Sequence, residues 1–237
     1  MKFNRSTFAS LLAVPFLLLT SSAQATPVSG QANIAGNVTV FDGTIQFAPT
    51  FTNTAGAAET GDFSGLTGGT IQSLTGGPTT GFLPTPVTGF IHFTTGLAAP
   101  VTFDLTYIAP GVGTLAGCSS AVPGSECTPT SSPFTLFQLT SNTVIASLQL
   151  NGLSYTGSSA SGSSPTTAIF STQTAINGTL PEIYATLAGG GSVSGVTYSA
   201  SFVATAPPSV PEPTSLMLMG LGLAGAGLIA RRKTVKN

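Results

Sequence analysis

Charge is what this sequence has least of. Only 5% of its 237 residues are Asp, Glu, Lys or Arg, against about 25% in an ordinary soluble domain. Trp is absent, His occurs once and Cys twice. The cations are confined to the two ends: Lys2 and Arg5 at the start, and Arg231, Arg232, Lys233 and Lys236 at the finish, with no Lys or Arg from Thr26 to Val210. A body without cations cannot neutralise phosphates, which excludes nucleic-acid binding. A P-loop would lack its Lys, a Schiff base its amine and a phosphate clamp its guanidinium. The single His and the scattered acids Asp42, Glu59, Asp62, Asp104, Glu126 and Glu182 supply no set of metal ligands, so neither a metal nor a cofactor is expected. What is abundant is Ser and Thr, more than a quarter of the chain, together with 29 Gly and 17 Pro.

Both ends read as addresses. Residues 1–25 have the three parts of a secretory signal peptide: Lys2 and Arg5, an apolar stretch from Leu11 to Leu19, and Ala23-Gln24-Ala25, the small residues that signal peptidase accepts before a cut. At the other end Leu216 to Ala230 is an unbroken apolar and Gly run, followed at once by Arg231-Arg232-Lys233. The spacing predicts one transmembrane helix over 216–230, short against the usual ~17–25 residues. Its basic flank would stay cytoplasmic as a stop, leaving the body outside the inner membrane. Gly220 to Gly225 spells G-x-G-x-x-G, but no strand precedes it, so it is no dinucleotide fingerprint.

Just before the apolar run stands Pro211-Glu212-Pro213. That tripeptide, a short Gly-rich hydrophobic helix and an Arg-rich end together resemble the PEP-CTERM sorting signal of Gram-negative bacteria, over about residues 210–237. The resemblance implies recognition by an exosortase, a membrane-embedded cysteine transpeptidase-like enzyme. It further implies processing near Pro211-Glu212-Pro213 and release or attachment at the cell surface, often alongside exopolysaccharide. On this analogy the chain is a substrate, its partners being signal peptidase, the exosortase, the inner membrane transiently, and extracellular polysaccharide. The alternative is a plain C-terminal anchor behind the Pro-rich stalk Ala206-Pro207-Pro208.

Three parts follow: a signal peptide over 1–25, a β-rich extracytoplasmic domain over 26–205, and a sorting segment over 206–237. In the body, Asp42-Gly43 separates Val38–Phe41 from Thr44–Phe47 and predicts a two-residue hairpin turn. Asn151-Gly152 and Asn177-Gly178 read the same way. Val101, Phe103, Leu105 and Tyr107 alternate with Thr102, Asp104 and Thr106, giving one buried and one wet face. Almost no helical periodicity is present. Gly56 to Thr88, rich in Gly and Pro, predicts long loops with a short strand near Ile71, and Gly157–Pro165 is low-complexity. The expected fold is all-β, an antiparallel sandwich or barrel with Ser and Thr on its outer faces. Its uncharged strand edges leave self-association open.

Cys118 and Cys127 flank Pro123-Gly124, and an even pair in an exported chain reads as a disulfide, with free or metal-bound thiols as the alternative. His92, in Phe90-Ile91-His92-Phe93, would have to serve any Ser-His-Asp triad, with Asp104 as its orienter; no G-x-S-x-G elbow marks a nucleophile. A half-exposed polar residue on a strand explains His92 as well. Glu59 and Asp62 suit either a surface calcium site or a solvated pair. Tyr107, Tyr155, Tyr184 and Tyr198 are the candidates for stacking against a sugar, or for strand edges. Asn37-Val38-Thr39 and Asn177-Gly178-Thr179 match a glycosylation sequon, which we do not read as glycosylated in a bacterial setting. The sequence thus predicts an exported, non-catalytic surface or matrix protein, with a carbohydrate-binding module and a secreted hydrolase as alternatives.

Overall fold

The structure, a computed structural model, describes residues 27–54, 57–75, 80–130, 132–157, 162–173, 176–208, 217–218 and 220–223. Among the described residues of the body, twelve strands and one α-helix follow in order: β1 Gly30–Phe41, β2 Thr44–Phe47, β3 Thr50–Asn53, β4 Gly68–Ile71, β5 Gly81–Thr95, β6 Val101–Ile108, β7 Glu126–Cys127, β8 Thr135–Thr140, β9 Thr143–Thr156, β10 Ser164–Thr172, β11 Ile176–Asn177, α1 Leu180–Ala188 and β12 Ser192–Ala204. All named pairings are antiparallel.

Eight strands run β10-β12-β1-β3-β4-β5-β6-β9, and β9 pairs again with β10, which closes the sheet into a barrel. Of the two architectures the sequence allowed, the chain therefore adopts the barrel. Period-two patterning makes it. On β12 Val196, Tyr198, Ala200, Phe202 and Ala204 are buried while Thr197, Ser199 and Ser201 sit half-exposed on the outside. Phenylalanines fill the interior edge to face. Phe93 meets Phe51, Phe63 and Phe202 at centroid distances of 5.6, 5.1 and 5.2 Å, and Phe202 meets Phe103 and Phe170 at 5.7 and 5.6 Å. Each such pair contributes about 0.5–1.5 kcal/mol beyond the area it buries.

The barrel has two unlike poles. At one, Gly30 pairs with Ala204, Pro27 bridges to Tyr155, and Val28 is fully buried, so the chain enters and leaves side by side. At the other lie the β1–β2 hairpin, the loop after β6 with its Cys118–Cys127 disulfide (Cα–Cα 4.9 Å), and the β8–β9 hairpin. The helix α1 packs there against β8, β12 and the 3₁₀ turn Leu115–Ser119.

Asp42-Gly43 is the expected two-residue turn, with Phe41 opposite Thr44 and Gly43 at φ 66°. Asn151-Gly152 is not a turn. It lies inside β9, where Gly152 sits against β6: a Cβ there would stand 2.0 Å from the Asp104 carbonyl oxygen and 2.7–2.8 Å from the Phe103 ring. Asn177-Gly178 leads instead into α1, which the reading of the body missed. The expected loops of 56–88 give way at Gly81 to β5, which carries Pro84 and Pro86 in a stretch where the pairing with β6 skips from Phe82 to Val87. No partner needs a donor there, so proline is tolerated. On β6 Val101, Phe103 and Leu105 are buried as expected, but Asp104, expected on the wet face, is buried as well, and a register shift before Tyr107 turns Ile108 inward. Gly157–Pro165 connects the neighbouring strands β9 and β10, and its last two residues belong to β10.

Candidate functional site

The sorting segment starts where the barrel stops. After Ala204 the Thr205 N–H donates to the Pro165 carbonyl at 3.0 Å, and Thr205 to Pro208 are exposed. The signal-peptide residues 1–25, Pro211, Glu212, Pro213, Arg231, Arg232 and Lys233 lie outside the described residues. Of the hydrophobic run, 217–218 and 220–223 are helical, with Met217, Leu218, Leu221 and Leu223 exposed, and the rest lies outside the described residues. Among the described residues no helix is long and apolar enough to cross a membrane.

The body's catalytic candidates His92 and Asp104 stand on the neighbouring strands β5 and β6, each hydrogen-bonded to other groups. His92 is exposed on β5, its Nδ1 3.3 Å from the Thr102 hydroxyl. Asp104 is buried on β6, where its Oδ1 accepts from the Gly89 N–H at 2.7 Å and the Tyr155 hydroxyl at 3.2 Å. The carboxylate that would orient a triad histidine thus holds the irregular backbone of β5 instead. Asp62 accepts from the Ser29 N–H at 2.7 Å, fastening the 3₁₀ turn Gly61–Phe63 to the start of the barrel. Among the described residues no group of three or more His, Cys, Asp or Glu side chains is gathered for a metal. Asn37 and Asn177 are exposed.

The four tyrosines divide by burial. Tyr198, 2% exposed, belongs to the core; Tyr155, 8% exposed, is buried opposite Thr102 with its hydroxyl on Asp104, and Tyr184 packs on the core from α1. Burial pushes the Tyr198 phenol well above its ordinary range, since the fold solvates its anion poorly, and its hydroxyl has no hydrogen-bond partner. Tyr107 stays at the outer wall, half-buried beside Thr106, Asn151 and Thr167.

Two further polar residues escaped the sequence reading. Gln138 is fully buried on β8; its Nε2 donates to the Thr140 and Thr143 carbonyls, and its Oε1 accepts from the Leu180 N–H at 2.6 Å. It thereby pins α1 to the β8–β9 hairpin. At the head of α1, Glu182 accepts from the Thr179 N–H at 2.9 Å, closing a capping box. That bond first, and the Thr179 hydroxyl second, hold the Glu182 carboxyl below its ordinary value. The Thr179-x-x-Glu182 spacing, with Pro181 in the first turn, was the available signal for this helix.

No curated protein and no solved structure matches the chain. The PEP-CTERM protein-sorting motif, by contrast, matches residues 209–233, a stretch that contains Pro211-Glu212-Pro213 and Arg231-Arg232-Lys233. The chain therefore carries a PEP-CTERM sorting motif, the mark of an exported protein that an exosortase processes for the cell surface or the extracellular space of a Gram-negative bacterium.

Proposed function

We propose that this chain is a non-catalytic component of the cell surface or extracellular matrix, associated with exopolysaccharide, whose barrel is the delivered cargo and whose tail is the delivery device. The observation that carries the reading is the sorting motif at 209–233, set directly behind a closed, ring-filled barrel. The signal peptide passes the body across the inner membrane under signal peptidase. The hydrophobic helix then parks it there transiently, with Arg231-Arg232-Lys233 as the cytoplasmic stop, until the exosortase meets Pro211-Glu212-Pro213. A body without Lys or Arg would slip past anionic lipids and polymers that retain cationic proteins. Asp104 is engaged by the Gly89 N–H and the Tyr155 hydroxyl, and His92 by the Thr102 hydroxyl, which supports a body without catalysis.

Intact mass measured separately on membrane and extracellular fractions of the native host tests this. Extracellular protein beginning at Thr26 and ending near Val210 is the expected result. Full-length tail found only in membranes would mean a plain anchor and would overturn the proposal. Turnover of any glycan or ester that disappears in His92→Ala, with the fold intact, would instead favour the hydrolase.

A further inference from the structure

Resting on the matrix reading, the geometry points to a binding site for a neutral polysaccharide chain in a furrow on the outer wall of β9 and β10. Two depressions adjoin there. One, of about 500 Å³, has Tyr107, Asn151 and Thr167 abreast on β6, β9 and β10. The other, of about 140 Å³, is built around Gln149 and the facing Ile169, one outward position further along the same two strands. Outward side chains recur every second residue, so the two form one trough. From Ser147 to Gly152 the linings extend roughly 17 Å along β9, enough for an oligosaccharide rather than a single sugar.

Three features select the ligand class. The lining carries amides and hydroxyls, from Asn151, Gln149, Thr106 and Thr167, interleaved with the apolar surfaces of Tyr107, Pro165 and Ile169. A pyranose presents that same mixture, hydroxyls at its rim and C–H groups on its faces, and an aromatic ring is a good partner for the latter. Asn151 stands half-buried between Tyr107 and Thr167, where its amide Nδ2 can donate to a sugar hydroxyl. No Lys, Arg, Asp or Glu lines either depression. A phosphorylated or uronic-acid polymer would find no counter-charge, whereas a neutral polyol needs none.

Affinity electrophoresis of the full chain through gels containing a glucan, a mannan or a galactan tests the site, with a polyuronate as the anionic comparison. The expected result is retardation by at least one neutral polymer, unchanged between about 20 mM and about 1 M salt, as an uncharged contact should behave. Tyr107→Ala and Asn151→Ala should each weaken it about tenfold, as loss of a central contact does. Gln149 is exposed, so Gln149→Ala keeps the test open should either of those variants unfold; it should weaken binding several-fold. No retardation by any neutral polymer, binding confined to the polyuronate, or retardation untouched by the folded variants would overturn the proposal. If the protein is secreted and processed but binds nothing, the trough fails and the matrix reading stands. If it is never processed, the matrix reading fails whatever the gels show.

Discussion

Tyr198 lies opposite Gly36 on the β1–β12 ladder and lines a cavity of about 30 Å³ among Val38, Phe47 and Phe170. Its ring packs on Phe47 and Phe170 at 5.2 and 5.6 Å, but its hydroxyl is buried without a partner, a condition that costs about 1–3 kcal/mol. Tyr198→Phe keeps the packing and removes the orphan group, so urea unfolding should show unchanged stability or a gain of about 1 kcal/mol. A loss of more than about 1 kcal/mol would mean that a buried water satisfies the hydroxyl. The phenol's raised pKa has a definite sign: its contribution is fully present below the ordinary value of 10.0 and is lost as pH climbs from there toward the folded value. Tyr198→Phe should flatten that alkaline loss. Gly152 is the opposite case, a residue whose missing side chain is the requirement. Gly152→Ala would drive a methyl into the Asp104 carbonyl and the Phe103 ring, and should cost about 3 kcal/mol or more by the same measurement. Neither residue shows its role in the sequence, because both roles are set by a strand distant in the chain. Asn151-Gly152 carries the same hairpin grammar as Asp42-Gly43, yet the approach of β6 makes it the middle of a strand.

At the scale of elements, α1 and the disulfide loop hold the pole far from the chain ends. Glu182 has a depressed pKa, so the capping box contributes above the ordinary carboxyl value of 4.5 and is lost as pH falls through the folded value. Glu182→Gln should therefore remove part of the acid loss of stability while leaving stability near neutrality only slightly lower, as urea midpoints at neutral and acid pH would show. The Cys118–Cys127 bridge closes a short loop, and the paired substitution to Ser should cost roughly 2.5–3 kcal/mol on the chain-entropy account. Thiol titration of the unfolded protein, giving no free thiol before reduction, checks the pairing itself. Inward residues that recur at every second position, such as Val101, Phe103 and Leu105, were legible from local pattern alone. The trough was not: Tyr107, Asn151 and Thr167 meet only because β6, β9 and β10 pair in this register. The sorting segment was legible because its information is linear, a tripeptide, an apolar run and a basic end.

As a whole molecule, the barrel removes the hazard that an uncharged sheet carries. Strands without Lys at their edges invite pairing with other chains, but each of the eight strands of the ring has partners on both sides. Closure has a kinetic counterpart. The last strand, β12, fits between β1 and β10, so the ring cannot shut until the far end of the body is available. Such non-local pairing places refolding in the range of milliseconds to seconds. Stopped-flow fluorescence of the tyrosines, with the disulfide intact, should find that range. A chain truncated before Ser192 should lack the barrel's far-ultraviolet signature.

The shared exit of the two chain ends sets how the molecule stands. From Thr205 to Val210 the chain reaches roughly 20 Å at full stretch, less than the length of a strand such as β1, whose 12 residues span about 40 Å. A barrel moored through that tail is a post on a short leash. Its foot, at Gly30 and Ala204, faces whatever holds it, and its flank offers the β9–β10 wall sideways to neighbours. The Asp42-Gly43 hairpin and the disulfide loop form its crown, the first part an approaching polymer or cell would touch.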